Sequence, residues 1–213
     1  AFNKKEGVFQ NLQALEVASL IGSAAGAIGI KNAIFCNGAN MAYRKEVFLE
    51  VNNFKKASTV SGDDVFLLHS IKAKYPNSIV FAKDENAIVT TESTQNFSDF
   101  INQRQRWTAK SSTYKDIASI YTSSLVFFTN LSFIILFVIL FFERSFFPLF
   151  IGFYCVKFMV DLFLLYPTLS FFNRTDLLKW IFPFELVYSF YIILIVVLSF
   201  TKKFEWKGRM HKK

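Results

Sequence analysis

The sequence predicts an α/β portion followed by an α-helical membrane region of about three helices and a short basic tail. Three observations predict it. Apolar residues crowd into three segments after Ile120, each about the length that crosses a hydrocarbon layer of roughly 30 Å. Before that point, short β-branched and aromatic runs alternate with helical patterns, as in a layered α/β unit. Behind the last apolar run, Lys202, Lys203, Lys207, Arg209, Lys212 and Lys213 gather in the final residues. The divisions are therefore residues 1–119, 120–201 and 202–213.

The net charge of +8 invites a nucleic-acid partner. The cations of the first portion are dispersed, however, and the tail cluster directly follows an apolar run, where anionic headgroups explain it better. The expected partner is thus membrane lipid and not nucleic acid. Cys36 and Cys155 lie in unlike surroundings and make neither a disulfide framework nor a zinc spacing. No secretory leader opens the chain, and Ala1-Phe2-Asn3-Lys4-Lys5 reads like the interior of a longer protein.

Along 7–30, Val8, Leu12, Leu15, Val17, Leu20 and Ile21 form a helical stripe that runs into Gly22-Ser23-Ala24-Ala25-Gly26-Ala27. Gly22 and Gly26 either permit a close approach of helices or lipid headgroups, or mark a flexible turn; the residues leave both open. A strand is expected over 33–36, ending in the tight turn Asn37-Gly38-Ala39-Asn40, then a helix over 44–49. Ser61-Gly62 reads as a turn before a helix led by Asp63 and Asp64, whose charges suit a helix N-terminus. Strands are expected over 78–82 and 87–91, and a helix over 96–112.

The membrane segments are drawn at 121–142, 146–172 and 180–200. Lys157 and Asp161 share one face of the second and read as an ion pair, while Glu185 lies near the start of the third. If all three segments cross, the basic tail falls on the side opposite residues 1–119, against the positive-inside tendency. An interfacial segment, or a fold-back at Pro167, would return the tail to the same side, and that is the expectation.

The candidate chemistry is a constellation. Asp63-Asp64 at a helix start offers a carboxylate able to take a proton from a hydroxyl. Gln103-Arg104-Gln105-Arg106-Trp107, just before the membrane region, offers amide and guanidinium donors for a diphosphate and an indole face for a sugar. Taken singly, each is ordinary: a carboxylate pair caps helices, Gly-Asp-Asp also occurs in polymerases, and Arg and Trp frequent membrane interfaces. His69 and His211 have no partners at metal or triad spacing, and no residue is assigned as a metal ligand.

Together these residues resemble the membrane-bound family 2 glycosyltransferases, the GT-A-fold group with cellulose, chitin and hyaluronan synthases and ceramide glucosyltransferases. Members carry an acidic pair, then Gln-x-x-Arg-Trp on an interfacial helix, then transmembrane helices, and Phe35-Cys36-Asn37-Gly38-Ala39-Asn40 is similar to their acceptor-side turn. The resemblance implies a partial GT-A domain, its acceptor-side half, with Asp64 as general base and Asp63 supporting it. It implies Gln103 and Arg106 on the donor diphosphate, Trp107, Asn37, Gly38 and Asn40 about the acceptor, and inversion at the anomeric carbon. The partners would be a nucleotide sugar and a lipid or glycan acceptor, at the plasma or inner membrane with the catalytic part cytoplasmic. A divalent cation, Mg or Mn, is implied too, yet the Asp-x-Asp that would hold it is absent from this chain. The chain is thus expected to be a C-terminal fragment, inactive without a nucleotide- and metal-binding half. The rivals are a non-catalytic membrane scaffold or assembly subunit and, from Lys157 and Asp161, a lipid or polymer transporter.

Overall fold

The computed structural model describes residues 1–3, 7–51, 63–201, 204–206 and 209–211; for Asp63 and the tail it describes the backbone alone. The turn expected at Ser61-Gly62 and tail residues Lys202, Lys203, Lys207, Lys212 and Lys213 lie outside the described residues. The described chain is helical: α1 Val8–Gly29, α2 Lys45–Val51, α3 Asp63–Lys74, α4 Phe97–Ser111, α5 Ile117–Ile139, α6 Phe147–Phe171 and α7 Ile181–Thr201.

The expected α/β layer is not present among the described residues. Residues 33–36 and 78–82 belong to no strand, and Ala87 closes a 3₁₀ turn, Glu85–Ala87, which Asp84 caps by accepting the Asn86 N–H at 2.8 Å. One parallel bridge joins Phe2 to Thr91, through Asn3 N–H to Thr91 O and Thr91 N–H to Ala1 O, each 3.0 Å. The only ladder among the described residues is the tail hairpin, β1 Phe204–Trp206 against β2 Arg209–His211. β-Propensity reports fit to a pleated surface, and without neighbouring strands to pair with, these segments remain irregular. The fold is therefore a helical assembly and not half of a GT-A sheet.

Among the described residues, four helices are long and apolar enough to cross a membrane: α1, α5, α6 with the turn before it, and α7 with the turn before it. The sequence reading counted three. α1 carries more than a one-sided stripe, since the unbroken run from Gln13 to Ala18 is buried. The small-residue run stays helical, which removes the flexible-turn alternative. At Gly22 a β-carbon would stand 2.5 Å from Thr168 Oγ1, so glycine lets α1 press on α6; Gly26 faces open space. Leu15, Leu165, Leu169, Leu177 and Ile181 form the main packed cluster where α1, α6 and the start of α7 meet.

α6 runs through Pro167 without folding back. Proline forfeits one backbone hydrogen bond there, and the Thr168 hydroxyl donates to Leu164 O at 2.8 Å in the same turn. Among the membrane helices, Ser189 of α7 donates to Asn130 of α5 at 2.8 Å. Lys157 pairs with Asp161 at 3.0 Å and with Glu185 across the α6–α7 interface, so the expected pair is a triad. Strand β1 packs against α4, which sets the tail beside the helix carrying the Gln-x-x-Arg-Trp residues.

Candidate functional site

α3 is anchored by Val65, Leu67 and Leu68, all buried, and presents Asp64 at its start. Asp64 Oδ1 accepts the Val65 N–H at 2.9 Å, and Oδ2 accepts the Gly38 N–H at 3.1 Å. The Asn37–Asn40 turn is thus held directly on the acid. Asn37 builds that turn: its carbonyl accepts the Asn40 N–H and its side chain accepts the Ala39 N–H, both at 3.0 Å. Asn40 Nδ2 donates to Ala87 O at 2.6 Å, tying the turn to the 3₁₀ segment. Asn37, Gly38 and Asn40 are all exposed.

Asp64 is also the electrostatic neighbour of three partly buried groups. Burial depresses the pKa of the Arg106 guanidinium, and the charge of Asp64 acts against that shift. Burial, then Asp64, pushes the Cys36 thiol up to about 12, with Lys110 pulling the other way, so this cysteine is no thiolate at neutral pH. The Tyr114 phenol is likewise pushed above its usual range by burial and by Asp64. The Asn-Gly turn therefore touches the acid and the arginine of α4 lies within its electrostatic reach, although all three are well apart in sequence. The side chain of Asp63 lies outside the described residues.

Helix α4 starts where the Asn96 side chain accepts the Asp99 N–H at 2.8 Å. Ahead of that cap, Thr94 is clamped to α1 by buried Gln13, which accepts its N–H at 3.1 Å and donates to its carbonyl at 3.0 Å. The five-residue cluster splits between two directions. Arg106 is half-buried within electrostatic reach of Asp64, whereas Arg104 is only 2% exposed and binds Glu16 Oε2 through Nε at 3.0 Å and Nη2 at 2.6 Å. The other Glu16 oxygen accepts the Tyr191 hydroxyl at 2.8 Å. The Arg104 guanidinium sits 4.4 Å from the Phe100 ring and 4.5 Å from the Trp107 ring. It also donates to Gln103 Oε1. Gln103 and Trp107 are thus oriented by Arg104, and the indole spends part of its ring surface on the guanidinium.

Sequence reasoning missed Glu16 and Tyr191. A lone carboxylate inside the apolar 8–29 helix was the available signal. It also left His69 without a role. His69 Nε2 lies 3.2 Å from Ile34 O and 3.0 Å from Ser119 Oγ, and Ser119 Oγ lies 2.8 Å from Asp116 Oδ1. These residues do not form a nucleophilic triad, because Asp116 engages the serine and not the histidine, and Ser119 is buried. They pin α3, α5 and residue 34 together, with Lys72 on Asp116 at 2.7 Å. Burial lowers the His69 pKa below its ordinary 6.5, so the ring is held neutral in this junction.

The family model of Glycosyl transferase family group 2 matches residues 1–203. The chain belongs to that family. No curated protein and no solved structure matches it. A family 2 glycosyltransferase handles an activated sugar donor and an acceptor. The divalent cation that the resemblance implies finds no cage among the described residues, where no three His, Cys, Asp or Glu side chains come together.

Proposed function

We propose that this glycosyltransferase moves a sugar from a nucleotide-sugar donor to a hydroxyl of a lipid or glycan acceptor, with inversion, and that Asp64 is the general base. The observation that carries the proposal is the hydrogen bond by which Asp64 holds the Gly38 N–H, with Arg106 of α4 within reach of the same charge. Each carboxylate oxygen accepts one backbone N–H and keeps acceptor capacity for a substrate O–H. As the acceptor oxygen bonds to the anomeric carbon, its proton passes to Asp64 and the bond to the donor's diphosphate breaks. Arg106, half-buried and therefore weakly screened, meets the charge that develops on the departing diphosphate. Gln103 assists there as an amide donor, and Asp63 supports Asp64.

Trp107 and the Asn37–Asn40 turn border the acceptor, and the catalytic face is cytoplasmic. The tail supports this side assignment, since its basic residues flank a strand packed on α4 and basic segments favour the cytoplasmic face.

The test is Asp64→Asn in the enzyme as its gene encodes it, assayed in membranes with nucleotide sugars. A general base contributes roughly 10²- to 10⁴-fold, so turnover should fall by at least about a hundredfold while membrane insertion and donor binding persist. Turnover within a few-fold of the parent would remove Asp64 from the chemistry, whereas a parent without turnover on any nucleotide sugar would favour a non-catalytic scaffold.

A further inference from the structure

A groove of about 470 Å³ runs between the C-terminal half of α1 and the end of α6. It lies apart from Asp64 and none of the residues assigned to glycosyl transfer lines it. Ala25 and Ile28 on one side, and Pro167, Phe171 and Phe172 on the other, make its walls apolar. Two cations, Lys31 and Lys83, also line it, and neither joins an ion pair among the described residues. Beside them Ile30 and Val80 are 77% and 79% exposed, so large apolar side chains flank the lysines at the surface.

The backbone at Lys31 adds an independent argument. Lys31 has φ 60°, the left-handed conformation that closes a helix and that glycine or asparagine adopts at least cost. The two other non-glycine residues in that region among those described, Asn77 and Asn173, follow the rule. The last carbonyls of α1 are satisfied by the N–H groups of Ile30, Lys31 and Asn32, so the Lys31 side chain is not needed for capping. A lysine at this position keeps an ammonium at the groove at some conformational cost.

The geometry points to this groove as a binding site for an anionic phospholipid, with an acyl chain between α1 and α6 and the phosphate on Lys31 and Lys83. Apolar walls recognise the chain, and a pair of unpartnered cations beside surface-exposed apolar residues recognises a phosphate at headgroup depth. The site requires only that the apolar helices lie in a bilayer, and it is independent of the glycosyl-transfer assignment.

The experiment uses the full-length enzyme in phosphatidylcholine nanodiscs doped with phosphatidic acid carrying a diazirine on its acyl chain. After photolysis, label should fall on residues 22–29 and 167–172 and be displaced by unlabelled phosphatidic acid. Excess phosphatidylcholine or millimolar inorganic phosphate should not displace it. Lys31→Asn with Lys83→Gln preserves the left-handed cap and should reduce that label roughly tenfold or more, each lysine near an anionic headgroup counting for a factor of about five. Gly29→Leu projects into the groove and should also abolish it, whereas Gly26→Leu, not among the lining residues and with open space around it, should not. A phosphatidylcholine diazirine probe labelling α5 and α7 equally in all variants confirms that they remain folded. Equal displacement by phosphatidylcholine, displacement by inorganic phosphate, or label unchanged in the lysine and Gly29 variants would overturn the proposal.

Discussion

A β-carbon added at residue 38 would stand 2.8 Å from Asp64 Oδ2 and 3.2 Å from Asp64 Cβ. That residue is glycine because the turn must pass its N–H onto the acid, and any side chain would push the carboxylate away. Gly38→Ala should therefore lower turnover about tenfold or more, while leaving the folded protein and donor affinity largely intact, because a misplacement of about 1 Å at a reacting group is that costly. Parent-like turnover from this variant would mean the Gly38 contact does not position Asp64. The Asn-Gly pair was legible in the sequence as a turn, and its acceptor-side role came from the family resemblance. What the sequence did not carry was that the turn rests on Asp64, since that contact joins residues 26 apart in the chain.

Helix α4 shows what helical spacing encodes and where it stops. Gln103, Arg106 and Trp107 stand at i, i+3 and i+4, one face, which is how the cluster pointed to a shared site. Arg104 is rotated off that face, and spacing alone does not say what lies there. The fold puts α1 and α7 there, so Arg104 becomes the buried partner of Glu16, which also accepts from Tyr191, and the brace of Trp107. Arg104→Ala should leave Glu16 buried and unpaired and destabilise the protein by about 3–5 kcal/mol. Arg104→Lys should lose most of the same, because an ammonium cannot make the forked contact while lying flat between two rings. Replacing Glu16 and Arg104 together by Met should recover much of the loss, read as the thermal midpoint in detergent. Equal midpoints for Arg104→Ala and the parent would show that the pair does not hold α4 to α1.

At the scale of the whole molecule, the start of α5 is pinned to residue 34 by Ser119, whereas the tail strand β1 returns to α4. Both ends of the apolar region thus lie with the candidate site, and three simple crossings are not what the packing describes. With both native cysteines replaced, single cysteines at Ser112 and Arg209 should react with a membrane-impermeant maleimide from the same side in oriented vesicles. A cysteine at Glu143, between α5 and α6, should react from the other side. Labelling of positions 112 and 209 from opposite sides would overturn this arrangement.

Hydropathy and helical period act through residues near one another in the chain, so the sequence by itself determined three of the four long apolar helices, the helix of the Gln-x-x-Arg-Trp residues and the pairing of Lys157 with Asp161. It misjudged the fold class for a physical reason. Strand-like composition at 33–36, 78–82 and 87–91 states a preference, but a sheet exists only where other strands supply the hydrogen bonds. Only the tertiary structure decided what depends on distant partners: Glu16 on Arg104, Gly38 against Asp64, Glu185 on Lys157, and the lysine-lined groove between α1 and α6. Each of these is a contact between helices or loops far apart in the chain, whose cost or benefit appears only when packing removes water from both partners.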